Sequence, residues 1–278
     1  MEIFGANRNA VVTGASAGIG SELAKALAPK LDCLVVVARR VERLLELRNE
    51  LQSRYPALKI VVEAADLAEP EAVQHFLEHI RPLDIDILVN NAGLGESELF
   101  ESSPWGRIHH IVQVNIVALL QLTHSLLPAM IKRGHGAILN IGSGAGYAAM
   151  PNAAVYTASK HFVRAFTESL RAQLAGTGII VSEAAPGPVE SEFDRVAGIE
   201  GGAITGQSVL RITAKECAAD IVRGFERGSP AMFPGRNYRW LMKVQPLLPR
   251  RVLAKQLAKA ARKLRSGRAG SNERAETY

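Results

Sequence analysis

The sequence predicts a single-domain, doubly wound α/β fold on a seven-stranded parallel sheet, and three observations predict it. Short β-branched apolar runs recur along the chain, longer helical patterns alternate with them, and a glycine-rich turn joins the first run to the first helix. The runs at 10–13, 33–38, 59–63, 86–90, 136–141, 179–184 and 231–233 read as strands. Most are continuously apolar, as expected where helices cover both faces of a parallel sheet. Helices are predicted over 19–28, 41–53, 70–80, 104–133, 153–175 and 214–226. Ser103-Pro104 reads as an N-cap followed by proline at the first helical position. The segment 187–206, rich in Gly, Glu and Val, breaks the rhythm. A loop is expected there, at the carboxyl end of the sixth strand, where such sheets present a ligand.

Composition narrows the classes. Of 278 residues, 47% are hydrophobic and 22% charged, ordinary for a globular chain with a substantial core. No stretch approaches the roughly 20 apolar residues that cross a bilayer, and residues 1–9 lack the features of a secretory signal. Cys33 and Cys217 have no paired spacing, so neither a disulfide framework nor a zinc site is expected, and a cytoplasmic location follows. His75 and His79 are spaced to share a metal but have no evident third ligand, so no metal is predicted. The adjacent His109 and His110 cannot share a helix face.

The net charge of +6 is unevenly spread. Eleven of the 33 basic residues and none of the 27 acidic ones lie in 236–268, leaving 22 basic to 27 acidic elsewhere. The predicted organisation is therefore a domain over 1–235 and a basic amphipathic extension over 236–278. Within it Leu253, Leu257, Ala260 and Leu264 fall on one helical face, preceded by Trp240-Leu241-Met242. Two readings stand side by side: a helix packed on the body or on a subunit partner, and a helix making peripheral membrane contact with anionic lipid. Nucleic acid is not expected, because the tail has one aromatic pair, Tyr238 and Trp240, and no reading motif.

Two motifs carry chemistry. After the first strand comes Thr13-Gly14-Ala15-Ser16-Ala17-Gly18-Ile19-Gly20, which opens into a helix. Gly14 and Gly18 let the backbone turn tightly and approach a pyrophosphate. The N–H groups around Ser16, Gly18 and Ile19 face that anion from a helix N-terminus, and Gly20 lets the helix pack closely on the sheet. The second motif, Tyr156-Thr157-Ala158-Ser159-Lys160, places a phenol and an ammonium on one helix face. A tyrosine ordinarily titrates near pH 10, and a neighbouring ammonium favours its phenolate. Ser143 lies thirteen residues upstream of Tyr156, just past the fifth strand, where its hydroxyl can meet a substrate carbonyl. Asn115 sits mid-helix between apolar neighbours, and such an amide needs partners.

The Gly-x-x-x-Gly-x-Gly spacing after Thr13, with Asn115, Ser143, Tyr156 and Lys160 in order, resembles the short-chain dehydrogenase/reductase family over about residues 8–235. The resemblance implies a Rossmann fold and an NAD(P)-dependent oxidoreductase acting on a carbonyl or alcohol substrate. Tyr156 would move the proton, Lys160 would lower its pKa and hold the nicotinamide ribose, and Ser143 would position the carbonyl. Asn115 would distort its helix and hold a water leading to Lys160. Asn91, Ala92 and Gly93 would border the adenosine, with Asp66 and Leu67 contacting the adenine. Pro186, Gly187 and Val189 would cover the nicotinamide, and Ser191, where relatives carry threonine, would reach its carboxamide. A homodimer or homotetramer is also implied.

Cofactor choice turns on the end of the second strand. Ala38 stands where NAD-dependent relatives carry an aspartate, and Arg39 and Arg40 follow it. A 2′-phosphate suits two guanidinium groups, so NADP(H) is predicted over NAD(H). A sensor of NADP(H) without chemistry is the rival on the same fold, and it has no use for Ser143, Tyr156 and Lys160 together.

Overall fold

A computed structural model describes residues 3, 8–193, 197, 209–244, 257–259, 261–262 and 265. Nine strands occur among them: β1 (Asn9–Thr13), β2 (Cys33–Ala38), β3 (Lys59–Ala64), β4 (Ile87–Asn90), β5 (Gly136–Ile141), β6 (Ile179–Ala184), β7 (Val189–Glu190), β8 (Ile212–Thr213) and β9 (Ala231–Met232). Seven form one parallel sheet in the order β3-β2-β1-β4-β5-β6-β9. The order reverses between β1 and β4, so the loops after these two strands diverge and leave a crevice at their carboxyl ends.

The helices are α1 (Gly18–Leu27), α2 (Val41–Arg54), α3 (Pro70–Ile80), α4 (Trp105–Val112), α5 (Leu119–Arg133), α6 (Ala154–Gln173), α7 (Ala214–Glu226) and α8 (Arg236–Val244). Strand side chains alternate between two cores, as the pleat requires. Val12, Leu34, Val36 and Leu139 pack against Leu23 and Leu27 of α1, Leu44 and Leu47 of α2, and Phe225 of α7. Val11, Val35, Leu88 and Ile138 face Phe76 and Ile80 of α3, Leu122 and Met130 of α5, and Leu170 of α6. Both faces of the sheet are thus buried, which is why its strands read as unbroken apolar runs.

Three expectations are corrected. Pro104, not Ser103, takes the cap position of α4, and the Ser103 hydroxyl bonds Glu96 instead. The segment 187–206 is not all loop: Val189–Glu190 pairs in parallel with Ile212–Thr213, a ladder too short to show an alternating pattern. Residues 194–196 and 198–206 lie outside the described residues. A six-residue π segment, Gln113–Ala118, joins α4 to α5 and contains Asn115, at the helix distortion that the family resemblance implied. The most apolar 18 residues of the resulting continuous helix, Trp105–Arg133, have a mean hydropathy of 1.6, so by length and composition it could span a membrane, contrary to the sequence reading. Leu122 and Met130 of this helix lie in the core beneath the sheet.

The extension begins as part of the body. Tyr238 and Met242 of α8 are buried, whereas Trp240 and Leu241 are exposed. Further along, Arg265 pairs with Glu101 at 2.7 Å. Leu253, Ala260 and Leu264 of the predicted apolar face lie outside the described residues, and Leu257 is half-buried. His79 sits 2.8 Å from a Glu63 carboxylate oxygen, and no group of three potential metal ligands gathers among the described residues.

Candidate active site

The crevice is built by glycine on one side and amide hydrogen bonds on the other. Gly14 and Gly18 adopt φ of +67° and +56°, which side-chain-bearing residues rarely tolerate. A Cβ on Gly14 would lie 2.8 Å from Asn91 Nδ2 and 2.9 Å from Ala92 Cα, so the loop after β1 touches the loop after β4. Asn91 locks that contact, its Nδ2 donating to the carbonyls of Thr13 (2.8 Å) and Gly14 (3.3 Å). The Thr13 hydroxyl accepts from the N–H groups of Asn91 and Ala92, each at 3.0 Å. A Cβ on Gly20 would overlap Asn91 Nδ2 and the Gly14 carbonyl. The cap residue of α1 is Ala17, which has no acceptor, and its first turn carries no acid. The start of α1, with Ser16, Gly18 and Ile19, therefore offers its N–H groups and dipole to an anion. These features fit a dinucleotide pyrophosphate.

The end of the crevice expected to take the adenosine is lined by charge. Arg39 lies 3.7 Å from Asp66, whose other oxygen accepts from the N–H of Ala68, and Leu67 beside it is buried. Arg40 donates to Glu192 at 2.8 Å and to the Ser16 hydroxyl at 3.4 Å, reaching from the end of β2 across the loop. Ser191 rests against Gly18, where a Cβ would stand 3.2 Å from the serine Cβ. The segment after β7 thus meets the glycine-rich loop before α1.

The predicted catalytic residues converge on α6. Lys160 is buried and donates from Nζ to the Ile141 carbonyl at 2.8 Å, with the ammonium 5.9 Å from the centre of the Tyr156 ring. Burial pushes its pKa down to about 8, and the Glu183 carboxylate acts in the opposite direction. A Cβ on Gly93 would stand 3.4 Å from Lys160 Nζ and 3.5 Å from Asn115 Oδ1, which places that glycine between them. Asn115 occupies the π segment; its oxygen accepts from the Leu94 N–H, and its amide donates to the Leu94 carbonyl and the Ser159 hydroxyl, all at 2.8–2.9 Å. Ser143 follows β5, and its oxygen accepts from the Ala145 N–H at 3.1 Å, leaving its O–H as a donor. Gly146 packs this turn on α6, since a Cβ there would lie 2.7 Å from the Lys160 carbonyl oxygen. Ala145, Ala153, Met150 and Phe193 surround Tyr156, with the Phe193 ring 5.7 Å from the tyrosine ring.

Several polar residues at the site escaped the sequence reading. Glu96 is buried and accepts from the N–H groups of Val155 (2.7 Å) and Tyr156 (3.2 Å), capping α6 where the cap residue Ala153 has no acceptor. Glu183 is buried on β6, takes a 2.7 Å bond from the Tyr147 hydroxyl, and has its carboxyl pKa raised by burial. Glu192 pairs with Arg40 from the segment read as loop. No local pattern announced these contacts, because each joins segments distant in sequence. Two surface depressions around Gly134, Gly178 and Ile180 lie at the amino ends of β5 and β6, away from the strand ends that carry these residues.

Comparison with known proteins agrees with this architecture. A family profile described as short chain dehydrogenase matches residues 8–198. Sulfoacetaldehyde reductase of Chromohalobacter salexigens is 38% identical over 223 residues, covering 76% of this chain and 83% of the relative. Among solved structures, a short-chain dehydrogenase from Sphingobium yanoikuyae in complex with NADPH superposes with a TM-score of 0.77 at 28% identity, over 93% of this chain and 95% of that one. The bulky-bulky ketone specific alcohol dehydrogenase from Comamonas testosteroni gives 0.73 at 26% identity, over 93% and 94%. With more than half of its length matched and a relative similar over three quarters of it, the chain belongs to the short-chain dehydrogenase/reductase family of oxidoreductases.

Proposed function

We propose that this protein is an NADP(H)-dependent oxidoreductase interconverting a carbonyl compound and the corresponding alcohol, with Tyr156 as the general acid and base. The observation that carries the reading is the buried Lys160 ammonium beside Tyr156 on one face of α6. With a pKa of about 8 the ammonium is largely protonated at neutral pH, and its charge favours the phenolate. Tyr156 then gives its proton to the carbonyl oxygen during reduction and takes it back during oxidation. Ser143 holds that oxygen through its O–H donor. Asn115 binds both backbone groups of Leu94 and so fixes the loop beside Lys160. Bound in the crevice, the nicotinamide cofactor supplies or receives the hydride. Its phosphates suit the start of α1, and a 2′-phosphate suits Arg39 and Arg40, which no acid replaces at the end of β2. The NADPH complex of the Sphingobium relative supports that choice.

The test is NADPH oxidation followed by nicotinamide absorbance against a panel of aldehydes and ketones, sulfoacetaldehyde and bulky ketones included, with NADH in parallel. Turnover that prefers NADPH and is abolished in Tyr156→Phe, with NADPH affinity retained, is expected. Near-normal turnover by Tyr156→Phe would overturn the role of that residue, and a preference for NADH would overturn the arginine argument. NADPH binding without turnover on any carbonyl would favour a cofactor sensor.

A further inference from the structure

We propose that Tyr238, in the extension beyond the family match, is a positioning residue that wedges together the turn carrying Ser143 and the segment Pro186-Gly187. The proposal rests on the function proposed above for Ser143 and on the expectation that Pro186-Gly187 covers the nicotinamide. They are joined directly, since the Gly144 N–H donates to the Pro186 carbonyl at 2.9 Å. Tyr238 seats on both sides of that bond. A Cβ on Gly187 would lie 2.6 Å from ring carbon Cδ2, and a Cβ on Gly144 would overlap the tyrosine hydroxyl. Neither glycine has a positive φ, so here the missing side chain, not backbone freedom, is what the structure uses.

The slot has defined walls. Phe233, just past β9, stands edge-on to Tyr238 at 6.4 Å and to Tyr147 at 5.1 Å. Tyr147 in turn ties the end of the Ser143 turn to Glu183. Tyr238 is 5% exposed, and its hydroxyl has no hydrogen-bond partner among the described residues. A buried phenol without a partner carries a desolvation cost, so the ring and not the O–H accounts for the seat. Helix α8 brings this ring to the site, while Trp240 and Leu241 on the same helix remain exposed.

A rigid ring between two loops fixes their spacing, and displacement of catalytic groups by about 1 Å can cost up to roughly a hundredfold in rate. Tyr238→Ala is therefore expected to weaken NADPH binding and lower kcat, each by about tenfold or more. Tyr238→Phe, which keeps the ring, should remain within about twofold of wild type in both. Gly187→Ala should reproduce the loss by expelling the ring, and Gly187→Ala with Tyr238→Ala should be no worse than Tyr238→Ala alone.

NADPH affinity is measured by titrating nicotinamide fluorescence, kcat with the carbonyl that the panel identifies, and folding by far-UV circular dichroism. Folded Tyr238→Ala with wild-type affinity and kcat overturns the wedge. So does a Tyr238→Phe variant as impaired as Tyr238→Ala, because the ring would then not be the operative group. If no carbonyl is turned over by the wild-type protein, the function reading fails, while the affinity series still decides the role of Tyr238.

Discussion

Replacing Glu96 by alanine gives a sharp stability test of how the active site is held. Its carboxylate accepts from Val155 and Tyr156 at the second and third positions of α6, where a local cap side chain would ordinarily bond. Glu96→Ala leaves these two amides without their acceptor, at about 1–3 kcal/mol for each one buried. Tyr156 is buried and Val155 half-buried, so a net loss of about 2–5 kcal/mol is expected. The bond from Ser103 is also lost, but at 3.3 Å it adds little. Glu96→Gln keeps an oxygen acceptor and loses the charge at the helix N-terminus, worth about 0.3–2 kcal/mol. For a domain of this size one kcal/mol moves Tm by about 2–4 °C. Thermal unfolding by circular dichroism should therefore show Glu96→Ala lowered by about 4–20 °C and Glu96→Gln by about 1–8 °C. Glu96→Ala melting within about 2 °C of wild type would refute the cap.

Further outcomes follow from the same geometry. Arg39→Ala with Arg40→Ala removes charge-assisted bonds worth about 1.5–3 kcal/mol each, so NADPH affinity should fall by at least about tenfold while NADH affinity changes little. Isothermal titration with both cofactors checks this, and an equal loss for NADH would refute a 2′-phosphate role. Lys160 titrates at about 8 in the folded protein against an ordinary 10.5, so between those values the native state binds fewer protons than the unfolded one. Stability therefore gains from this group as pH rises above 8 and bears the full burial cost below it. Urea unfolding of wild type and Lys160→Met from pH 7 to 9 should show their difference moving in favour of wild type as pH rises; a constant difference would count against the burial of a charged lysine. Gly14→Ala forces a side chain into a left-handed turn against Asn91, and both stability and NADPH affinity should drop. Unchanged NADPH affinity in that variant would detach the turn from cofactor binding.

Much of this architecture was legible in the sequence because the signals were local. The strand runs at 33–38, 136–141 and 179–184 coincide with β2, β5 and β6, since two-sided burial leaves unbroken apolar stretches. The glycine spacing before α1 and the Tyr156–Lys160 spacing on α6 are one-dimensional statements about a turn and a helix face, and the structure keeps both. Asn115 was visible as an odd amide among apolar neighbours, although the π segment around it was expected only from the family resemblance.

By itself, then, the sequence determined what repeats or lies within a few residues: the alternation of strands and helices, the glycine turn before α1, the arginine pair after β2 and the residues set along α6. The tertiary structure alone decided which distant groups complete them. Glu96 caps a helix about sixty residues away, Arg40 meets Glu192, Glu183 lies buried against Tyr147, and Tyr238 enters a slot between two glycines. A single acid or aromatic in a loop or tail has no periodicity to betray it. Its role arises only when folding removes water from around it and leaves one geometry that satisfies or fills the space.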